Sequence, residues 1–398
     1  MSERRSFWFR WPLAASLALA LAACGGNDTD VPGSVPPAGA PTAKGSFTAV
    51  VSFGDSLSDV GTYAPGTSLA GDGSAPYLGG RFTTNGPGAA VWVEQLATSM
   101  GLLVTPAMVG FGTVTVPCPA AAQAAALAAT CTGHGQGGAR VTDPNGIGRS
   151  AGALTVPVKT QIANHLARFG SFKASDLVLV MAGNNDGFIQ LGSFGAAAAQ
   201  IQADAAAGRI SADDAKKALF SAQNAAQGEM KKAAQELAGY VRSEILAKGA
   251  TYVAVLLTLD PASTPFGASA PADLRPVMTA LNDTFNLWLK DGLAGQPVKL
   301  IDPNVLVNDL LASPSKYGFS NVTGRACDAT LIAAITGGLV VDGSSLFCNA
   351  TPGVPFNGLA AGASATAWMF ADSVHPTTGG HRALATYVTD QLKSFGWI

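Results

Sequence analysis

The sequence has no surplus of positive charge, few cysteines and histidines, and no apolar run long enough to cross a bilayer. Lys and Arg number 24 against 26 Asp and Glu, a formal charge of −2. That balance excludes the basic footprint with which proteins grip nucleic acid. No two cysteines or histidines have the close spacing of a zinc site, and nothing calls for a metal or another cofactor. No repeat of solenoid period is present. What is there is 398 residues with 48% hydrophobic content, enough to bury the core of one large domain or two small ones.

The first residues read as a targeting segment: Arg4, Arg5 and Arg10 precede an apolar run from Trp11 to Ala22. The run is too short to span a membrane comfortably. It ends in Leu21-Ala22-Ala23-Cys24, which resembles the lipobox of bacterial lipoproteins, where the cysteine becomes the lipidated first residue. Gly25 in the next position resembles the pattern that sorts such chains to the outer membrane. Arg4-Arg5 also resembles a twin-arginine signal, but that route exports folded chains before disulfides can form. Setting Cys24 aside leaves Cys118, Cys131, Cys327 and Cys348, an even number suited to two disulfides in an exported chain. Three pairings are open. The shortest loops favour Cys118 with Cys131 and Cys327 with Cys348.

Residues 26–46 are mostly Pro, Gly, Ala, Thr and Asp and read as a flexible tether. Buried strands are expected at Phe47 to Phe53, Leu177 to Ala182, Thr251 to Leu257 and, more weakly, Val298 to Ile301. Helical periodicity marks Ala89 to Met100, Val158 to Phe169, Leu274 to Asp291 and Gly379 to Phe395. Gly195 to Lys248 is alanine-rich, free of proline and expected to be helical. Ala120 to Ala129 suggests a short helix inside a disulfide-closed excursion. Strands alternating with helices argue for an α/β fold with a parallel sheet covered on both faces.

Two local patterns carry chemistry. Phe53-Gly54-Asp55-Ser56-Leu57 sits where a strand gives way to a helix, a turn that would present the Ser56 hydroxyl at the sheet's C-terminal edge. The structural alternative is a Gly-Asp-Ser turn with a capping role. Near the other end, Asp372-Ser373-Val374-His375-Pro376 puts a carboxylate three residues before an imidazole. A serine hydroxyl becomes a good nucleophile only when a base takes its proton, and the base needs a carboxylate to set its tautomer. His134, His165 and His381 lack such a neighbour and are read as structural.

Together these motifs resemble the GDSL (SGNH) family of serine esterases and lipases, in particular its longer esterase and lecithinase-like members. Gly183-Asn184-Asn185-Asp186 resembles the family's Gly-x-Asn-Asp block, and Gly137-Gly138-Ala139-Arg140 its glycine block. The asparagine that usually opens the glycine block is missing, with Gly133 roughly in its place. The segments Gly80 to Gly86, Trp92 to Leu96 and Lys316 to Thr323 extend the resemblance over most of residues 47–398.

The resemblance implies a three-layer α/β/α sandwich, flavodoxin-like, with a central parallel sheet of about five strands. It implies a signal peptide at 1–23, a lipidated tether at 24–46 and a hydrolase domain at 47–398 with a mostly helical insertion around 187–248. It assigns Ser56, Asp372 and His375 to a catalytic triad, and Ser56, Gly138 and Asn185 to an oxyanion hole. A glycine at 138 would leave room for the acyl group. The expected activity is hydrolysis of lipid or short-chain carboxylic esters through an acyl-serine intermediate, without cofactor or nucleic acid, at a membrane held through Cys24. The alternatives are a carbohydrate O-acetylesterase and a non-catalytic binding or adhesive outer-membrane lipoprotein.

Overall fold

A computed structural model describes residues 47–64, 67, 80–351, 353 and 357–398. The expected signal peptide, the expected lipidation site Cys24 and the expected tether lie outside the described residues. The four strands expected from sequence form one sheet: β1 (Ala49–Gly54), with β2 (Met108–Phe111) and β3 (Val114–Pro117) forming a separate antiparallel hairpin, then β4 (Asp176–Met181), β5 (Tyr252–Leu256) and β6 (Lys299–Ile301). The sheet is wholly parallel in the order β1-β4-β5-β6. A parallel sheet must be covered on both faces, and the alternation of side chains along each strand shows which cover is which.

Val51, Phe53, Val178, Val180, Val253 and Val255 point to one face and pack with α2 (Val158–Phe169), α4 (Ala212–Tyr240) and α5 (Arg275–Gly292). Their neighbours Val50, Leu177, Leu179, Tyr252, Ala254 and Leu256 point to the other. They pack with α1 (Trp92–Ser99), α6 (Pro303–Ala312) and α7 (Thr378–Ser394). The result is the three-layer α/β/α arrangement. The alanine-rich stretch forms α3 (Asn184–Ala206) and α4, which pack on each other, and from Ala226 onward α4 is built into the first core. No helix among the described residues is long and apolar enough to cross a membrane.

The sheet has four strands rather than about five. The position beyond β1 is held by residues 132–136, which make only a single parallel bridge to β1, Ser52 to Gly133, and one on their other side, Pro106 to Gly133. The Ser52 N–H donates to Thr132 O at 2.9 Å and the His134 N–H to Ser52 O at 2.8 Å. A Cβ at Gly133 would lie 2.4 Å from Val60 Cγ2, and one at Gly135 2.7 Å from Ser58 O. Close packing against the turn after β1 thus demands glycine, which has little strand propensity, and pairing with β1 stops at one bridge.

A second, two-stranded parallel sheet joins β7 (Asn321–Arg325) to β8 (Trp368–Phe370) and sets the base from which residues 371–375 extend. The Cys118–Cys131 and Cys327–Cys348 disulfides are formed, with the expected short helix, Pro119–Gln123, inside the first. Cys327 and Cys348 are 21 positions apart. On the chain-entropy account, replacing both by alanine should lower unfolding free energy by about 3 kcal/mol. Denaturant titration against the parent checks this, and an unchanged midpoint would rule it out.

Candidate active site

The chain leaves β1 through a buried turn. Asp55 caps it, its Oδ1 accepting the Leu57 N–H at 3.1 Å, and Ser56–Ser58 form a single 3-10 turn. Because β1 and β4 are paired from Ala49↔Asp176 to Gly54↔Met181, this turn and the start of α3 emerge side by side at the sheet's C-terminal edge. The third part of the site comes from the loop after β8.

That loop is organised by one carboxylate. Asp372 accepts the backbone N–H groups of His375 (2.8 Å), Val374 (3.0 Å) and Ser345 (2.8 Å). The His375 Nδ1 lies 2.9 and 2.8 Å from its two oxygens. A carboxylate facing Nδ1 fixes the proton there and leaves Nε2 as the acceptor. Nε2 stands 2.9 Å from Ser56 Oγ. Burial opposes ionisation of Asp372, but the His375 charge and these donors outweigh it and hold the carboxyl well below its usual range. Burial likewise opposes protonation of His375, yet the Asp372 charge and hydrogen bond, with Asp55 and Asp342 behind them, raise it above 6.5.

The Phe82 ring leans on the His375 imidazole, centroids 4.8 Å apart. Phe82 is in turn held by His381, whose Nε2 donates to Phe82 O and whose Nδ1 accepts the Trp92 N–H, both at 3.3 Å. Burial pushes His381 down to about 3, so it is neutral. His134 and His165 are also buried, 3.2 Å apart through Nε2 and Nδ1, and packed around Phe53. None of the three is near enough to Ser56 to make a hydrogen bond among those described.

On the other side of Ser56, Asn185 in the first turn of α3 donates from Nδ2 to Ala139 O at 2.9 Å. Asp186 beside it accepts the Val141 N–H and Arg140 Nε, both at 3.0 Å, so α3 and residues 139–141 are locked together. Gly138 precedes that lock. Its φ is +78° and a Cβ there would lie 2.0 Å from Ile147 O, so glycine is required by the backbone and by this carbonyl rather than by room for an acyl group. The Ser56 and Gly138 N–H groups have no acceptor among the described residues.

With this geometry in view, the chain can be set beside known proteins. The GDSL-like Lipase/Acylhydrolase family matches residues 50–388. The chain belongs to that family. Two curated relatives, each named Esterase EstA, one from Pseudomonas aeruginosa and one from Pseudomonas putida, are 33% identical over 150 residues. The match covers 37% of this chain and spans a fifth, 20%, of each relative's length.

Several residues that position this GDSL site are not singled out by the sequence. Asp59 accepts the N–H groups of Gly61, Thr62 and Gly137 at 3.0, 2.7 and 2.8 Å, tying the Ser56 turn to the Gly138 loop. A second aspartate two positions after the Gly-Asp-Ser-Leu block, Asp59, was the available signal. Gln161 on α2 clamps Gly54, accepting its N–H at 2.9 Å and donating to its carbonyl at 2.8 Å. Nothing local distinguishes Gln161 from any polar helix residue. Ser345 reaches Asp372 only through the fold.

The two imidazoles at this end of the site should titrate oppositely. In nuclear magnetic resonance titrations, His375 should protonate with a midpoint above 6.5 and His381 should stay neutral through mild acid. Asp372→Asn removes the charge that raises His375, so its midpoint should fall. A His375 midpoint unmoved by that substitution would contradict the assigned cause.

Proposed function

We propose that this chain hydrolyses carboxylic esters through an acyl-enzyme formed on Ser56. The observation that carries the reading is the continuous contact from Ser56 Oγ through His375 to buried Asp372. His375 Nε2 accepts the hydroxyl proton as Oγ attacks the ester carbonyl, and Asp372 stabilises the imidazolium that results. The carbonyl oxygen becomes an oxyanion. The Ser56 and Gly138 backbone N–H groups and the second Asn185 amide hydrogen are the donors assigned to it.

When the tetrahedral centre collapses, the bond to the alcohol oxygen breaks and His375 returns its proton to the leaving alkoxide. Water then attacks the acyl-Ser56 carbonyl, giving its proton to His375. Collapse of the second tetrahedral centre releases the carboxylic acid and returns the proton to Ser56 Oγ. No step needs a cofactor. Because neutral His375 is the working base, kcat/KM should rise with pH through a midpoint above 6.5 and be lost below it.

Lipid or short-chain acyl esters are the proposed substrates, with the chain held at an outer membrane through lipid on Cys24. The lipobox-like Leu21-Ala22-Ala23-Cys24 supports the anchor. The names of the EstA relatives support an esterase.

Ser56→Ala and His375→Ala should each lower ester turnover by about six orders of magnitude in a chain that still folds. Asn185→Ala should cost roughly 100- to 1,000-fold in kcat with little change in KM, as expected of a donor used mainly in the transition state. Steady-state kinetics on esters of graded acyl length, with acetylated sugars alongside, checks all three. Retained turnover in Ser56→Ala would overturn the mechanism. Preference for acetylated sugars would redirect the substrate assignment, and hydrolysis of nothing would favour a binding protein.

The anchor has its own test. Cys24→Ser should move the chain from the membrane fraction to the soluble fraction, and mass spectrometry of the parent should find acyl groups on Cys24. An unmodified parent chain free in solution would refute the anchor.

A further inference from the structure

We infer that two stretches poor in charge, the β2–β3 hairpin and the excursion closed by Cys327–Cys348, form an apolar rim with which the enzyme seats on the surface of an undissolved ester phase. The inference rests on the ester-hydrolase reading above and adds the physical state of the substrate. Charged residues make up 13% of the chain, yet none occurs between Glu94 and Arg140. Between Asp328 and Asp372 the single one is Asp342, whose carboxylate accepts the Ser344 N–H at 3.0 Å. The first stretch holds the Cys118–Cys131 disulfide just after the hairpin, and the second holds Cys348, which is bonded to Cys327 just before Asp328. They also carry a group of large apolar side chains left open by the described residues: Phe111, Val114 and Val116 on the β2–β3 hairpin, and Leu339 and Val341 in the second stretch. Val114 is 67% exposed and Leu339 83%.

Both excursions are tied to the site, from opposite members of it. The hairpin is fastened at its base by the Gly110 N–H to Thr62 O (2.9 Å) and by the Gly112 N–H to Gly152 O (2.7 Å), with the Phe111 ring over Gly152. Three residues on, Thr155 packs against Gly138. The second excursion runs from Leu339 and Val341 to Ser345, whose N–H holds Asp372. One rim therefore adjoins the proposed oxyanion side of Ser56 and the other the proposed triad side.

An open apolar hairpin is an aggregation hazard that folded proteins ordinarily blunt with charge. Here the hairpin stretch carries no charge and the second stretch carries only Asp342, turned to the Ser344 N–H. A lysine or glutamate would cost free energy wherever the surface meets a medium that cannot solvate it, and apolar side chains gain by entering it. A rim so poor in charge around a site for esters fits the interface of an ester droplet or lipid layer. A polar partner, by contrast, would be met by a charged rim.

The test uses the full-length chain carrying Cys24→Ser, so that no lipid anchor contributes. Substrates are dissolved p-nitrophenyl butyrate and tributyrin taken from below to above its solubility limit. The parent should accelerate as tributyrin droplets appear. Val114→Asp combined with Val116→Asp, and independently Leu339→Asp, should each cut the droplet rate about tenfold while leaving p-nitrophenyl butyrate within about twofold. Equal losses on both substrates, or none on either, would overturn the rim. So would a dimer in sedimentation equilibrium that these substitutions dissociate, which would assign the patch to a second copy of the chain.

Droplet binding separates the rim from the chemistry. The Ser56→Ala chain should be depleted from solution by centrifuged tributyrin droplets, and the aspartate substitutions should abolish that depletion. Depletion without hydrolysis in the parent would keep the rim and reject the ester-hydrolase reading. Absence of depletion would reject the rim whatever the kinetics.

Discussion

The hydrogen bond between Ser56 Oγ and His375 Nε2 joins residues 319 positions apart, and most of the fold can be understood as the frame that keeps it at 2.9 Å. Neither partner belongs to a regular element long enough to position itself. Ser56 is placed by the end of β1, clamped from α2 by Gln161 and from the following turn by Asp59. His375 is placed by Asp372, and Asp372 by the second sheet through the Ala371 N–H to His375 O and the Cys327 N–H to Ala371 O, both 2.8 Å. The parallel sheet and the small β7–β8 sheet must therefore keep a fixed relation. The Trp92 side of α1, with His381 and Phe82, lies between them and supplies it.

Buried carboxylates give the site its electrostatic character. Asp55 and Asp59 are both pushed up to about 6 by burial, despite the backbone donors of Leu57 for one and of Thr62, Gly137 and Gly61 for the other. Asp186 is raised for the same reason. Asp372 alone among these four is driven the other way, because an imidazole and three backbone N–H groups converge on it. The difference follows from partners rather than depth, since all four are almost wholly buried. The negative charge of Asp372, with Asp55 and Asp342 behind it, falls on His375, the only one of the four histidines raised in pKa.

The disulfides act on the same frame. Each closes an excursion whose own hydrophobic cluster is small, Cys118, Ala120 and Cys131 in one and Cys327, Ile332, Cys348 and Ala371 in the other. Clusters of that size bury too little apolar surface to order a loop alone. Covalent closure fixes the strand-like residues 132–136 on one side of the Ser56 turn and Ser345 on the other. Support for the reacting groups thus comes from segments that would otherwise lack a core.

The sequence by itself determined what depends on neighbours along the chain. The four sheet strands were legible because a strand buried on both faces is a continuous apolar run. Helices Val158–Phe169 and Arg275–Gly292 were legible from their 3.6-residue stripes. Ser56, Asn185, Asp372 and His375 could be named because each sits in a short block at an element's end, and the fold gathers all four at one edge. Tertiary structure decided whatever depends on groups distant in sequence. Gln161 and Ser345 serve the site through contacts 107 and 27 positions away, which no local pattern encodes. Gly133 and Gly135 stop a fifth strand because of atoms in the turn after β1. Gly138 answers to Ile147 O, and His381 is silenced by burial that its own stretch of sequence does not reveal. Local periodicity and short-range chemistry are written in the order of residues, whereas solvation and close approach exist only once the layers have packed.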